Sequence, residues 1–243
     1  ALQGGKAVDM VLEKPEISGA TFKRGEGGEA ELRPGMTLDD RVTAYYENRN
    51  SYYRDLAVWA VPSSGKDASY KIPQLNERKG WSNKINFKSL EELKPPQQAI
   101  IPIDKVIDLS DRMDEHGHLS WSAPPGQWEV IRLGYGPVFR MTQHAPNKEK
   151  GLICDYLSHA GVDVHFKEHL EPILKNAGAH AGKTFKYVHL DSWEGGYQDW
   201  TKDFPREFLG RRGYDIRPWM PVLAGKIIAS PELTDRFLWD FRQ

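Results

Sequence analysis

Tyr187-Val-His-Leu-Asp-Ser-Trp-Glu-Gly-Gly-Tyr-Gln-Asp-Trp200 is the most informative stretch of this sequence. The β-branched and aromatic run Phe185 to Leu190 predicts a strand, which ends at the carboxylate of Asp191. Glu194 follows next to Trp193. In α/β proteins, functional groups gather where strands end, since loops there are held by the sheet and open to solvent. Aromatic rings stack on the apolar face of a sugar and carboxylates handle its protons, so this turn predicts a sugar site.

Composition limits the classes of protein that this chain can belong to. It has 243 residues, 39% of them hydrophobic and 11% aromatic, enough for one large or two small domains. The formal net charge of -1 argues against a nucleic-acid-binding surface, which needs a clustered basic excess. With Cys154 as its one cysteine, the chain has no internal disulfide and no cysteine-based zinc site. No apolar run approaches the roughly 20 residues of a membrane span, and no signal peptide is visible.

The first part of the chain, residues 1–145, is predicted to be a β-rich module. Short apolar runs separated by Gly and Pro turns favour a sandwich-like arrangement, with a long polar excursion near residues 63–98. The turn Asp114 to Gly117 is predicted to lead into one of these strands. The predicted strands are Ala57–Val61, Ala99–Asp108, His118–Trp121 and Gln127–Gly134.

The second part, residues 146–243, is predicted to be a helical segment with one clear strand, Phe185 to Leu190. Ser158 is the expected N-cap of its first helix, and a short helix is expected near Pro205 to Leu209. Ser230-Pro231 predicts the start of a last helix. The expected apolar faces of the first and last helices comprise Val162, Phe166, Leu170, Ile173 and Leu174, and Leu233, Phe237, Leu238 and Phe241.

Both ends of the chain suggest a piece of a longer protein. The sequence starts on Ala1 without a methionine and ends inside a helical pattern, with no glycine cap after Phe241. One strand is too few for a closed eight-stranded barrel. We therefore expect an α+β chain in which the β-sandwich-like module is followed by an incomplete piece of a (β/α)8, TIM-like barrel.

Four segments, taken in order, resemble glycoside hydrolase family 106, the bacterial α-L-rhamnosidases. The last of them contains the acidic turn, and the series spans about Tyr52 to Asp215. The segments are Tyr52–Pro62, Pro124–Tyr135, Gly151–Ser158 with His165-Phe166, and Asp191–Glu194 with Gln198, Trp200-Thr201, Phe204, Glu207-Phe208 and Arg211–Asp215.

This resemblance implies a barrel glycosidase that is interrupted by a β-domain and hydrolyses α-L-rhamnosides in polysaccharides or glycosides with inversion. It also implies a calcium ion at the sugar-binding subsite, and export to the periplasm or the medium, where polymeric substrates are found. Two alternatives stay open. One is a non-catalytic carbohydrate-binding protein on the same scaffold, and the other is a barrel glycosidase for a different sugar.

The carboxylates of the acidic turn can be given candidate roles. An inverting glycosidase needs a general acid and a general base roughly 6.5–9.5 Å apart. Glu194 is the candidate acid, because its side chain is long and Trp193 beside it can raise its pKa by desolvation. Asp191 is the candidate ligand of a sugar hydroxyl or a metal. Loop capping is the alternative for Asp191, and a surface salt bridge is the alternative for Glu194.

Trp193 of the acidic turn is a candidate substrate-binding residue, and further residues are candidates for the same sugar subsite. Gln198 and Trp200 follow the acidic turn, although Trp200 can equally pack in the core. Asp155 precedes a predicted helix and is a candidate helix N-cap, ligand of a substrate hydroxyl, or second catalytic carboxylate. We expect the true partner of Glu194 to lie beyond Gln243, and this chain alone to have no hydrolase activity.

The histidines and arginines near the acidic turn have simpler interpretations. His189 is expected to be a hydrogen-bonded core histidine, with a hydrogen bond to the sugar as the alternative. The other histidines of this region show no compact metal-binding spacing: His159, His165, His169 and His180. Arg211-Arg212 is expected to pair with Asp203, Glu207 or Asp215 at a solvated helix end.

Overall fold

The structure is a computed structural model that describes residues 2–15, 53–63, 70–80, 90–138, 153–189 and 198–243. Contacts divide the chain into two compact units. The first contains Ala1–Ile17, Tyr53–Gly136 and Pro205–Gln243, and the second contains Ser18–Tyr52 and Pro137–Phe204. Residues 205–243 are thus grouped with the strands of the first part, whereas the predicted boundary at residues 145 and 146 stays a prediction.

The strands of the described residues all lie in the first unit. They are β1 (Leu2–Gln3), β2 (Ala7–Val11), β3 (Arg54–Pro62), β4 (Ile100–Ile101), β5 (Ile107–Asp108), β6 (His118–Ser122), β7 (Gln127–Tyr135) and β8 (Ile227–Ile228). The predicted strands at Ala57–Val61, His118–Trp121 and Gln127–Gly134 are confirmed by β3, β6 and β7.

The centre of the first unit is a four-stranded antiparallel sheet in the order β1-β7-β3-β5. β3 is buried over Val58 to Val61, which explains its continuous apolar sequence. Val58 and Ala60 share a hydrophobic core with Leu119, which belongs to the separate antiparallel pair β2-β6. With its helices, the chain therefore has a mixed α/β fold with antiparallel sheets.

The predicted strand Ala99–Asp108 is wrong as a single element. Pro102 has no backbone N–H to donate to a ladder, and Ile103–Lys105 forms a 3-10 turn. The two ends of the segment join different sheets, because β4 pairs in parallel with β8 while β5 pairs antiparallel with β3. A single apolar sequence run thus contributes to two sheets.

The helices confirm the predicted start signals. Ser158 caps the first helix of the second unit and accepts from the N–H of Gly161 at 3.4 Å. Ser230 caps the last helix of the first unit and accepts from the N–H of Leu233 at 3.1 Å. The α-helices are α1 (Leu75–Arg78), α2 (His159–His165), α3 (Glu171–Ala177), α4 (Phe204–Arg212) and α5 (Pro231–Arg242), with the π-helical segment Phe166–Leu170 between α2 and α3 and the longest described 3-10 helix at Arg217–Ala224.

The predicted apolar faces are buried to different extents. On α5, Phe237, Leu238 and Phe241 are buried, whereas Leu233 is exposed. On the helical run of the second unit, Val162, Phe166 and Ile173 are 41–47% exposed. Apolar spacing therefore predicts the helices correctly and their burial only in part. Across the described residues, no helix is both long and apolar enough to cross a membrane.

The predicted strand Phe185 to Leu190 is not found over its described part. Phe185 makes one isolated parallel bridge with Ala181, and residues 186–189 form no ladder. Tyr187 is 86% exposed. Strand-forming side chains give a strand only where a second strand supplies hydrogen bonds, and no described strand pairs with this run. Leu190 lies outside the described residues.

Candidate active site

The predicted site residues divide into those that the structure describes and those that it does not. Asp191, Trp193 and Glu194 lie outside the described residues. Asp155, Gln198 and Trp200 are described, and all three belong to the second compact unit. The geometry of the site therefore starts from the segments on either side of the acidic turn.

Asp155 is held by hydrogen bonds to both of its carboxylate oxygens. Its Oδ1 accepts from the N–H of Leu157 at 3.0 Å, and its Oδ2 accepts from the hydroxyl of Thr201 at 2.8 Å. The N-cap of the following helix is Ser158, so the N-cap interpretation of Asp155 is wrong. Asp155 instead connects the loop before α2 to the segment that follows the acidic turn.

Gln198 makes a second connection between the same two segments. Its Nε2 donates to the carbonyl of Cys154 at 2.9 Å, and its Oε1 accepts from the N–H of Tyr156 at 2.9 Å. One side-chain amide thus binds a backbone acceptor and a backbone donor two residues apart, as a neighbouring strand would. The amide orientation follows from these two partners.

Gly161 allows the loop to pack closely against the start of α2. A Cβ atom at this position would lie 2.5 Å from the carbonyl oxygen of Asp155. The same carbonyl accepts from the N–H of Ser158 at 3.2 Å. A side chain at residue 161 would therefore displace the backbone that carries Asp155.

Thr201 is a functional candidate that the sequence reasoning missed as a site residue. It is one of the few buried polar residues of the described chain, at 6% exposure. Its hydroxyl reaches Asp155 across 46 residues of sequence. No local pattern predicts such a contact, although the position of Thr201 inside the family-like motif around Trp200 is a usable signal.

Trp200 is half-buried and packs against Phe204, with ring centroids 5.0 Å apart and planes tilted by 35°. This contact supports the packing alternative for the ring. A role in substrate binding stays a prediction. Burial raises the pKa of the Cys154 thiol, which disfavours the thiolate that a nucleophile requires.

The other candidate side chains of this part of the sequence differ in outcome. His189 is exposed, so the core interpretation is wrong. Arg211 pairs with Glu207 at 3.5 Å, as predicted, whereas Arg212 lies 3.9 Å from Asp240 of α5. His165 and His169 stack with ring centroids 5.4 Å apart.

Comparison with known proteins identifies the family of this chain. Residues 1–243 match the model of glycoside hydrolase family 106, described as alpha-L-rhamnosidase. The chain belongs to this family. The predicted resemblance is thereby confirmed over the full sequence, including the segments that the structure does not describe. Family 106 is a family of glycosidases, whose substrates are carbohydrates.

Two relatives place the family 106 chain among larger proteins. The solved structure of a rhamnosidase from Novosphingobium sp. PP1Y is 30% identical, with a TM-score of 0.63 over 72% of this chain and 17% of that chain. A curated protein of Formosa agariphila named "Putative beta-glucuronidase" is 36% identical over 198 residues, which are 81% of this chain and 17% of that protein. The family 106 chain thus spans 17% of the length of each relative.

The described residues do not fit the calcium site that the resemblance implies. Calcium takes six to eight oxygen ligands, usually including several carboxylates. Among the described residues, no group of three or more His, Cys, Asp or Glu side chains can hold a metal ion. Asp155, the described carboxylate of the site, already accepts hydrogen bonds at both oxygens. We therefore derive no catalytic step through calcium.

Proposed function

We propose that the protein containing this chain hydrolyses α-L-rhamnosidic bonds in polysaccharides or glycosides, by an inverting mechanism with two carboxyl groups. The observation that carries the proposal is the family match over residues 1–243. The likeness to a rhamnosidase of known structure supports it. In this proposal the chain supplies the sandwich-like β-module and one piece of the catalytic (β/α)-barrel, and the protein is exported.

Glu194 is the proposed general acid. Hydrolysis breaks the bond between the anomeric carbon and the glycosidic oxygen, and that oxygen needs a proton as it leaves. A neutral glutamic acid supplies it, and burial beside an aromatic ring such as that of Trp193, its neighbour in sequence, would favour the neutral form. Asp191 binds a sugar hydroxyl beside it.

The general base is the second group that inversion requires. It takes a proton from the water that attacks the anomeric carbon from the opposite face of the sugar. Asp155 is the described candidate for this role, but Thr201 and Leu157 already donate to its two oxygens. We therefore assign the base to a part of the longer protein outside this sequence.

A different sugar is the second candidate function, because the Formosa relative carries the name of a beta-glucuronidase. The full-length protein assayed with aryl α-L-rhamnoside and aryl β-D-glucuronide separates the two. Faster turnover of the rhamnoside by at least tenfold is the result we expect. Faster turnover of the glucuronide would show that the substrate is a glucuronide, and the protein would still be a glycosidase.

The role of Glu194 is tested by Glu194→Gln in the full-length protein. The amide keeps the shape of the side chain but cannot donate the proton, so kcat should fall by about 10²- to 10⁴-fold while the sugar still binds. Glu171→Gln, at an exposed position on α3, is the matched control and should keep wild-type kcat. Wild-type turnover in Glu194→Gln would show that Glu194 is not the general acid. Circular dichroism of the variant shows whether it is folded, so that a loss of turnover caused by misfolding is recognised.

A carbohydrate-binding protein without activity is the remaining alternative. It predicts that the full-length protein binds rhamnose-containing oligosaccharides in calorimetry and hydrolyses none of them. Release of reducing sugar from such an oligosaccharide would exclude it.

A further inference from the structure

Three side-chain hydrogen bonds clamp residues 198–201 to residues 154–156. Gln198 donates to the carbonyl of Cys154 and accepts from the N–H of Tyr156, and Thr201 donates to the carboxylate of Asp155. The partners are 42 to 46 residues apart in sequence, so these bonds are tertiary contacts. We call this arrangement the clamp.

The clamp lies directly after the acidic turn in sequence. Gln198 follows Glu194 by four residues, and four extended residues span at most about 14 Å. Glu194 is therefore joined by a short stretch of chain to a segment that the clamp holds. A catalytic acid tolerates little error, since a displacement of about 1 Å can lower the rate about 10²-fold.

The polar groups of the clamp are engaged with the protein. Both oxygens of Asp155 accept hydrogen bonds, and both ends of the Gln198 amide are paired. Thr201 is buried, at 6% exposure. These hydrogen bonds give the three side chains a structural task that the sequence did not predict for them.

We propose that Gln198, Thr201 and Asp155 are positioning residues: they fix residues 198–201, which follow Glu194 closely in sequence, and proton donation by Glu194 depends on this clamp. This inference rests on the proposed function, because it needs Glu194 as the acid. It deepens that function by assigning to the clamp the geometry on which proton donation depends.

The first test is Thr201→Val in the full-length protein, with aryl rhamnoside as the substrate. Valine keeps the shape and removes the hydroxyl that holds Asp155. We expect kcat to fall about 10- to 100-fold with KM changed less than about twofold. Thr201→Ser keeps a hydroxyl and should restore kcat to within about threefold of the wild type.

The matched control is Thr234→Val in α5. Thr234 is also a buried threonine, and its hydroxyl donates to the carbonyl of Ile228 at 3.0 Å. This variant loses that bond and the bond that the hydroxyl accepts from the N–H of Ile228 at 2.9 Å. Both lie in the other compact unit, so the variant should lower the melting temperature and keep kcat. An equal fall of kcat in Thr201→Val and Thr234→Val would overturn the clamp as a specific positioning device.

The second test distinguishes the clamp from direct chemistry at Asp155. In Asp155→Asn the amide Nδ2 can donate to the Thr201 hydroxyl, which accepts as well as it donates, while Oδ1 keeps the N–H of Leu157. We expect kcat within about fivefold of the wild type. Asp155→Ala, which removes both bonds, should match the fall in Thr201→Val.

Three results would contradict the inference. A fall of 10³-fold or more in Asp155→Asn would make Asp155 a catalytic carboxylate. A raised KM with unchanged kcat in Gln198→Met or Thr201→Val would make the clamp a substrate contact. Unchanged kcat and KM in Thr201→Val, with Glu194→Gln inactive, would contradict the positioning role of the clamp but not the proposed function. Wild-type turnover in Glu194→Gln would contradict the proposed role of Glu194 itself.

Discussion

At the scale of single residues, the best-defined electrostatic contact is the pair of Asp55 and Arg132. Arg132 Nε and Nη2 bind the two carboxylate oxygens at 2.7 and 2.8 Å. The Tyr53 hydroxyl donates to the same carboxylate at 3.0 Å, and burial raises the pKa of this tyrosine. The pair joins β3 to β7, which are neighbours in the central sheet. It therefore contributes to the strand pairing of the first unit.

The hydrogen bonds from Arg132 hold the pKa of Asp55 below its ordinary value. A carboxyl with a lowered folded-state pKa stabilises the fold above its unfolded pKa of about 3.9, and the contribution is lost as the pH falls through the folded value. Asp55→Asn should therefore lower the melting temperature of the full-length protein at pH 7. The difference from the wild type should shrink as the pH is lowered from about 4 toward 2.

Asp104→Asn is the control for this prediction. Asp104 pairs with Lys105 at 3.6 Å, but both side chains are at least 60% exposed. Exposed pairs contribute about 0–1 kcal/mol, so this variant should have almost no effect at either pH. If Asp55→Asn lowers the melting temperature equally at pH 7 and pH 3, the charge of Asp55 does not contribute to stability.

At the scale of elements, close packing in β7 leaves no space for a side chain at Gly134. A Cβ there would lie 2.2 Å from the Tyr53 ring and 2.5 Å from the carbonyl oxygen of Arg54. Gly134→Ala should therefore destabilise the sheet by about 1–3 kcal/mol. Hydrogen exchange of the backbone amides in β3 and β7 reports local unfolding of the sheet, and it should be faster in the variant.

Gly210 is the matched control, since it lies inside α4 with nothing within 4 Å of a Cβ. Gly210→Ala should stabilise the helix by about 0.5–1 kcal/mol, because alanine loses less backbone entropy than glycine. A neutral Gly134→Ala would contradict the close packing at Gly134, and a destabilising Gly210→Ala would contradict the open space at Gly210.

The elements also show how much of the fold the sequence could predict. The starts at Ser158 and Ser230 were predictable because an N-cap is decided within four residues. β3 was predictable because its apolar run is buried over most of its length. The segment from Ala99 to Asp108 was not, since its two ends pair with strands far away in sequence.

The same limit applies to the candidate site. The acidic turn stands out from residue types alone, and the family match now covers it. The bonds from Gln198 and Thr201 to residues 154–156 could not be predicted, because no local pattern specifies partners more than 40 residues apart. The predicted strand that begins at Phe185 was wrong for a related reason, because residues with strand propensity form a strand only when another strand pairs with them.

At the scale of the whole molecule, the chain spans 17% of the length of each relative described above. An inverting glycosidase needs two carboxyl groups on opposite faces of the sugar, and we assign the base to a part of the protein outside this sequence. The isolated 243-residue chain should therefore release no detectable aryl alcohol from an aryl α-L-rhamnoside. Turnover by the isolated chain at more than one hundredth of the full-length rate would contradict this assignment.

The stereochemistry of the first product tests the central claim most directly. The full-length protein is mixed with an aryl α-L-rhamnoside in deuterated buffer, and the anomeric proton of the released sugar is followed by NMR before it equilibrates. An inverting rhamnosidase must release β-L-rhamnose first, with the α-anomer appearing later by mutarotation. Initial release of the α-anomer, or no hydrolysis at all by the folded protein, would contradict the account.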